Sequence, residues 1–63
     1  MNTENISGKT IIRTRLLNNM SQNKLAELLG ISIWTLLDME NDQIPIPEEI
    51  IDELKQLNLR IAV

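Results

Sequence analysis

The sequence predicts an all-α protein: a compact bundle of four short helices followed by a short extended C-terminal tail. Of the 63 residues, 43% are apolar, mostly Leu and Ile, and this fraction argues against disorder. Aromatic residues make up only 2% and there are two glycines, a composition that favours helices over strands. The chain has no Cys, so no disulfide or thiolate metal site can stabilise it. Because a domain of this size buries only about 60% of its unfolded surface, self-association would add stability.

The first helix is predicted over residues 9–18. It follows a polar segment, residues 1–8, which we expect to be flexible. Ser7 is a candidate N-cap for the helix. Asn18 and Asn19 are expected to end it, because Asn favours turns.

The second helix has the clearest signals and is predicted over residues 21–29. Ser21 is a natural N-cap. Gly30 can adopt the left-handed backbone that ends a helix in a tight turn. The apolar residues of this segment recur at helical spacing: Leu25, Ala26, Leu28 and Leu29.

The third and fourth helices are predicted over residues 32–40 and 47–57. Ser32 is the expected N-cap of the third helix. Pro47 suits the first turn of the fourth helix, because that position needs no amide hydrogen bond. The fourth helix has a clear apolar stripe: Ile50, Ile51, Leu54 and Leu57.

The C-terminal tail, residues 59–63, is predicted to be extended and to follow a helical domain over residues 9–58. Apolar residues alternate with others in this tail, which is the period of a strand. Asn58 can end the preceding helix with a left-handed backbone. The alternative is that the helix continues, because Leu57 and Ile61 also fit helical spacing.

The charge of the chain is unusual for a nucleic-acid-binding module. The net charge is −3 and the isoelectric point is about 4.6, whereas affinity for DNA comes from cations that neutralise phosphates. A local basic patch remains compatible with this composition. Only six residues are basic: Lys9, Arg13, Arg15, Lys24, Lys55 and Arg60.

The chain is expected to be a soluble, cytoplasmic protein. Its first ten residues, MNTENISGKT, lack the apolar centre of a signal peptide. No apolar run approaches the roughly 20 residues that span a bilayer.

Residues 22–41, QNKLAELLGISIWTLLDMEN, resemble the helix-turn-helix of the phage repressor and Cro family. The match lies in packing positions of the two helices and in the turn: Leu25, Ala26, Leu29, Gly30, Ile31, Leu36 and Met39. Arg15 and Glu40 match the family's usual Arg and Glu, which the resemblance implies to be a structural pair. The resemblance covers about residues 9–59 and implies a small transcription regulator.

The outward positions of the third helix depart from the family's DNA-reading pattern. DNA-reading members carry Arg, Gln, Ser or Asn there, which donate hydrogen bonds to bases and phosphates. This chain has no Lys or Arg in that helix. The positions are instead occupied by a mainly apolar set: Ile33, Trp34, Leu37, Asp38 and Asn41. Because soluble monomers rarely expose such area, we predict a protein-binding surface here, for another regulatory protein such as a DNA-binding repressor.

Three alternatives to this protein-binding surface stay open. Trp34 can fold against its own domain, or the surface can form a homodimer. The protein can also be a Cro-like binder of operator DNA, because apolar side chains contact thymine methyl groups. In that case we expect DNA contacts from a polar set: Gln22, Asn23, Lys24, Ser32, Thr35 and Asn41.

Two further features have more than one interpretation. Leu16 and Leu17 are apolar where the family is commonly polar. They either widen the core or extend an exposed apolar surface, and we expect one of them in the core. The acidic run of the fourth helix is expected to be solvated, or to meet a basic protein surface. It consists of Glu48, Glu49, Asp52 and Glu53.

The composition excludes most catalytic chemistry. The chain has no His, Cys or Tyr, and its carboxylates show no metal-ligand spacing. A domain this small offers little enclosed space in which to shift the pKa of a catalytic group. We therefore expect no enzymatic activity, no metal, no cofactor and no small-molecule substrate.

Overall fold

The computed structural model describes residues 6–62, with side chains described for residues 6–58. Four helices follow one another along the chain: α1 (Gly8–Leu17), α2 (Gln22–Leu29), α3 (Ile33–Glu40) and α4 (Glu48–Ala62). No strand occurs within residues 6–62. The predicted all-α bundle of four helices is therefore confirmed.

All four helices contribute to one small core. Ala26 lies where α2 packs against α3, and its small side chain lets the two helices approach closely. Several half-buried apolar side chains pack around this core, among them Met20, Leu29 and Ile31. The buried apolar residues of this core are Ile11, Leu25, Ala26, Leu36, Met39, Ile50, Leu54 and Leu57.

The first three helices end in the same way. In each, the residue after the last turn has a left-handed backbone, and the next amide bonds to a carbonyl five residues earlier, which is the Schellman motif. The left-handed residues are Asn19 (φ 60°), Gly30 (φ 73°) and Asp42 (φ 59°). The amide-to-carbonyl bonds are Met20 to Arg15 (2.8 Å), Ile31 to Ala26 (3.0 Å) and Gln43 to Asp38 (2.8 Å).

The N-terminus of α1 is fixed by the loop that follows α3. The amide of Gly8 donates to Oδ1 of Asp42 (2.8 Å), so a distant carboxylate provides the cap. Ser7 stands at the N-cap position, but its side chain accepts no capping hydrogen bond. A Cβ on Gly8 would overlap the Glu40 carbonyl oxygen and lie 2.6 Å from that of Met39.

The predicted flexible segment over residues 1–8 is thus wrong at its C-terminal end. Gly8 is buried and begins α1, and Ile6 and Ser7 are half-buried. No local pattern in the sequence indicates this, because the partner of Gly8 lies 34 residues away. Residues 1–5 lie outside the described residues.

The predicted extended tail over residues 59–63 is also wrong, because α4 continues to Ala62. Asn58 is an interior residue of the helix and not its left-handed end. Its side-chain oxygen accepts a hydrogen bond from the hydroxyl of buried Thr14 (3.2 Å), which ties α4 to α1 at the point where a break was expected. The alternative of a continuing helix is the correct one as far as residue 62, and Val63 lies outside the described residues.

Both Leu16 and Leu17 are exposed, with 64% and 57% of their surface accessible. The expectation that one of them enters the core is therefore wrong. The buried side of α1 carries Gly8, Ile11 and Thr14. At about 100° per residue, Leu16 lies opposite these residues, and Leu17 lies at the edge of the exposed side.

Replacement of Gly8 by Ala tests the contact between α1 and the end of α3. We expect Gly8→Ala to lower the free energy of unfolding by about 1–3 kcal/mol, because the new methyl group overlaps backbone that cannot move aside easily. Urea denaturation followed by circular dichroism measures this loss. Gly30→Ala is the matched control: its methyl group meets no atom within 4 Å, so only the left-handed backbone opposes it, at about 1 kcal/mol. An unchanged midpoint for Gly8→Ala would contradict the close approach.

Candidate functional site

The outward side of α3 is the candidate site, and we call it the α3 outer face: Ile33, Trp34, Leu37, Asp38 and Asn41. Trp34 dominates it, with 73% of its surface accessible. Asp38 and Asn41 are exposed beside it. Leu37 is half-buried, and Ile33 is half-buried against the core, so the exposed apolar area is smaller than the residue types alone suggest.

The first turn of α3 is held by a local cap. Oγ of Ser32 accepts a hydrogen bond from the Thr35 amide (3.1 Å), and the two hydroxyls share another of 3.0 Å. Ser21 caps α2 in the same way, by accepting from the Lys24 amide (3.1 Å). These caps and the Gly30 turn fix the angle at which α3 leaves α2, and so fix the direction of Trp34.

The opposite side of α3 is anchored through Glu40. Its side chain is only 5% accessible. Oε2 accepts a hydrogen bond from Nε of Arg15 on α1 (3.0 Å), and Oε1 accepts one from Nε2 of Gln22 on α2 (3.0 Å). The Arg15 guanidinium also reaches the Met20 carbonyl (3.5 Å). The structure therefore brings Arg15 and Glu40 together, and a single carboxylate joins α1, α2 and α3.

A second exposed surface, on α1, was not predicted as a site. We call it the α1 outer face: Lys9, Ile12, Arg13, Leu16 and Leu17. These side chains line an open depression of about 390 Å³. The signal in the sequence was the spacing of these residues, which places all five on the side of α1 away from Ile11 and Thr14.

A family model described as a helix-turn-helix matches residues 11–61, most of the chain. The chain belongs to the helix-turn-helix family. The match is of the phage repressor and Cro type, as the resemblance implied. No curated protein and no solved structure matches the chain significantly.

Helix-turn-helix proteins of this type are regulators that typically bind DNA, and the family is not an enzymatic one. The motif consists of α2, the Gly30 turn and α3, so α3 stands in the position of the recognition helix. The protein is accordingly a small helix-turn-helix regulator. Among the described helices, none is both long and apolar enough to cross a membrane.

The polar residues expected to contact DNA are largely engaged within the helix-turn-helix domain. Nε2 of Gln22 is bound to Glu40, and the Ser32 and Thr35 hydroxyls are bound to each other. Nδ2 of Asn41 donates to the Leu37 carbonyl (3.0 Å). The two remaining members of the set, Asn23 and Lys24, are exposed at the start of α2.

The electrostatics of the motif are poor for phosphate binding. Lys24 is the one basic residue in α2 and α3 together. Asp38 stands at an outward position of the recognition helix, where it would repel a phosphate. The usual donors to base edges, Arg, Gln and Asn, are replaced at the centre of the face by the indole of Trp34.

Removal of the Glu40 carboxylate tests the anchor. We expect Glu40→Ala to lower the free energy of unfolding by about 1–3 kcal/mol, because two donors from two other helices lose their acceptor. Thermal or urea denaturation measures the loss, and Glu40→Gln, which keeps one acceptor oxygen, should lose less.

Glu27→Ala, at an exposed carboxylate on α2, is the control for this measurement. It is expected to change stability by no more than about 0.5 kcal/mol. Equal denaturation midpoints for Glu40→Ala and Glu27→Ala would contradict the role of Glu40 in anchoring α3.

Proposed function

We propose that this helix-turn-helix protein regulates transcription by binding another regulatory protein through the α3 outer face, with Trp34 at the centre of the contact. The observation that carries the proposal is the exposure of the indole: 73% of Trp34 is accessible, on a recognition helix without a single cation. Trp is the residue type most typical of the energetic centre of protein interfaces.

The free energy gained by burying Trp34 supports a protein partner. A fully buried Trp removes about 150–250 Å² from water. Covering the exposed part of Trp34 is worth on the order of 3 kcal/mol at about 25 cal/mol per Å². A protein surface recovers this free energy by closing over the indole. A hydrated phosphate backbone offers no apolar surface for this purpose.

The charge of the chain favours a basic partner surface. The net charge is −3, Asp38 lies within the face, and α4 exposes Glu48 and Glu49 at its N-terminus. A DNA-binding repressor presents the complementary sign on the surface that contacts DNA. Docking on that surface would block the repressor's access to its operator, so the protein would act as a modulator or anti-repressor.

The second candidate is Cro-like binding of operator DNA. Membership of a DNA-binding family favours it, and so does the exposure of Asn23 and Lys24 at the start of α2. Trp34 would then have to contact thymine methyl groups in the major groove. The two candidates differ in salt dependence, because phosphate contacts weaken steeply with salt and an apolar protein contact does not.

Trp34→Ala tests the protein contact directly. We expect it to weaken binding to the partner by about 2–4 kcal/mol, as for a central interface residue. It should cost much less fold stability than Leu36→Ala, whose buried side chain leaves a cavity at a cost of about 2–5 kcal/mol. The partner is obtained by affinity capture with tagged wild-type protein from cells that produce it, and the affinities are measured by calorimetry with the purified partner.

Leu28→Ala is the matched control, because it also removes an exposed apolar side chain but lies on α2, outside the α3 outer face. The proposal requires the captured protein to bind DNA, to lose DNA when it binds this chain, and to discriminate Trp34→Ala from Leu28→Ala. A captured protein that binds both variants equally would place the contact elsewhere and overturn the proposal.

A further inference from the structure

The α1 outer face is unusual in a chain with an excess of carboxylates. It carries Lys9 and Arg13 beside Ile12, Leu16 and Leu17, and α1 contains no acidic residue. The depression is lined by these five residues, and its walls are almost entirely apolar. A partner for it needs an apolar group for the depression and a carboxylate for Lys9 or Arg13.

The α3 outer face carries both an apolar group and a carboxylate. Trp34 supplies the apolar group, and Asp38 stands one helical turn further along the same side of α3. No cation lies on α3, and no carboxylate lies on α1. The two faces are therefore opposite in charge and alike in carrying exposed apolar area.

We infer that the α1 outer face binds the α3 outer face of a second copy of this chain. The spacing on the two helices supports the pairing. Trp34 and Asp38 are four residues apart, as are Arg13 and Leu17, and four residues correspond to about 6 Å along a helix. With the helices antiparallel, Trp34 meets Leu17 and the depression while Asp38 meets Arg13. In an antiparallel pair the helix dipoles attract, because the positive end of each helix lies beside the negative end of the other.

The area required by a stable dimer favours a closed pair of copies. A standard interface takes about 800 Å² from each partner, less than a fifth of the 4437 Å² surface of this chain. One contact between two short helices falls short of that. Two copies related by a two-fold axis form the α1–α3 contact twice, which doubles the area and leaves no open end for further growth.

This pairing makes the activity of the regulator depend on its own concentration, a consequence that rests on the proposed function. The second copy covers Trp34, so the same indole cannot contact another regulatory protein at the same time. Accumulated protein would be held as the dimer, and dilution or a tighter-binding partner would release the active monomer. Self-association and partner binding are then competing equilibria at one face.

Trp34 reports its own burial, because it is the only aromatic residue in the chain. Sedimentation equilibrium and Trp34 emission are measured over the same range of protein concentration. We expect the mass to rise from monomer to dimer and the emission to move to shorter wavelengths along the same curve. Leu16→Asp should keep both the monomer mass and the emission of an exposed indole throughout that range.

A charge swap tests the pairing of Arg13 with Asp38. Arg13→Glu and Asp38→Arg each place like charges together and should each raise the dimer dissociation constant by roughly tenfold. Both substitutions in one chain restore opposite charges and should return the constant to within about threefold of wild type. All of these positions are exposed, so circular dichroism and the urea midpoint should be unchanged when they are measured at concentrations where wild type is monomeric.

The result that would overturn the inference is a wild-type chain that stays monomeric into the millimolar range. A dimer sensitive to Leu16→Asp but indifferent to Asp38→Arg would also overturn it, because α1 would then meet some other surface. The proposed function is judged separately, with the monomeric Leu16→Asp variant. That variant should bind the captured partner at least as tightly as wild type does. If it binds no partner while wild type dimerises as described, the proposed function fails and the self-association stands.

Discussion

The packing of α1, α2 and α3 depends on one buried carboxylate. Glu40, at the last turn of α3, accepts from Arg15 of α1 and Gln22 of α2, both at 3.0 Å. A carboxylate removed from water is tolerated only when its oxygens are satisfied, and here each oxygen has a donor from a different helix. This requirement fixes the rotation of α3 about its own axis. With Glu40 turned inward, Trp34 and Asp38 can only point outward.

A second contact at the same end of α3 reinforces this constraint. The helix closes on Asp42 in a left-handed conformation that costs a non-glycine residue about 1 kcal/mol. The Asp42 carboxylate then caps Gly8 at the start of α1, and the bare Cα of Gly8 lets the two helix ends approach. These hydrogen bonds and the close helix contact thus involve the inner side and the ends of α3. They leave Trp34 exposed on the outer side.

The sequence predicted what depends on local chemistry. Ser21, Ser32 and Gly30 act through bonds within their own turns, so the ends of α2 and α3 follow from short stretches of sequence. The burial of Leu36 and Met39 follows from helical periodicity. The errors arose where partners are distant in the chain. Gly8 is ordered by Asp42, and Asn58 stays helical beside Thr14, 44 residues earlier. The expectation that Leu16 or Leu17 enters the core is wrong because a small core has no space for every Leu. For the candidate site, the sequence predicts outward positions for Trp34 and Asp38, and both side chains are exposed. The α1 outer face becomes apparent only when the depression between its side chains is seen.

The central claim is that the recognition helix of this protein contacts protein and not DNA bases. The most direct measurement is selection of binding sites by the isolated protein from a pool of random duplexes at physiological salt, repeated at low salt. We expect that no sequence is enriched at physiological salt, and that any retention at low salt is weak and independent of sequence. Enrichment of one duplex at physiological salt, lost in Trp34→Ala, would instead establish a Cro-like operator binder and rule out the protein contact as the role of α3.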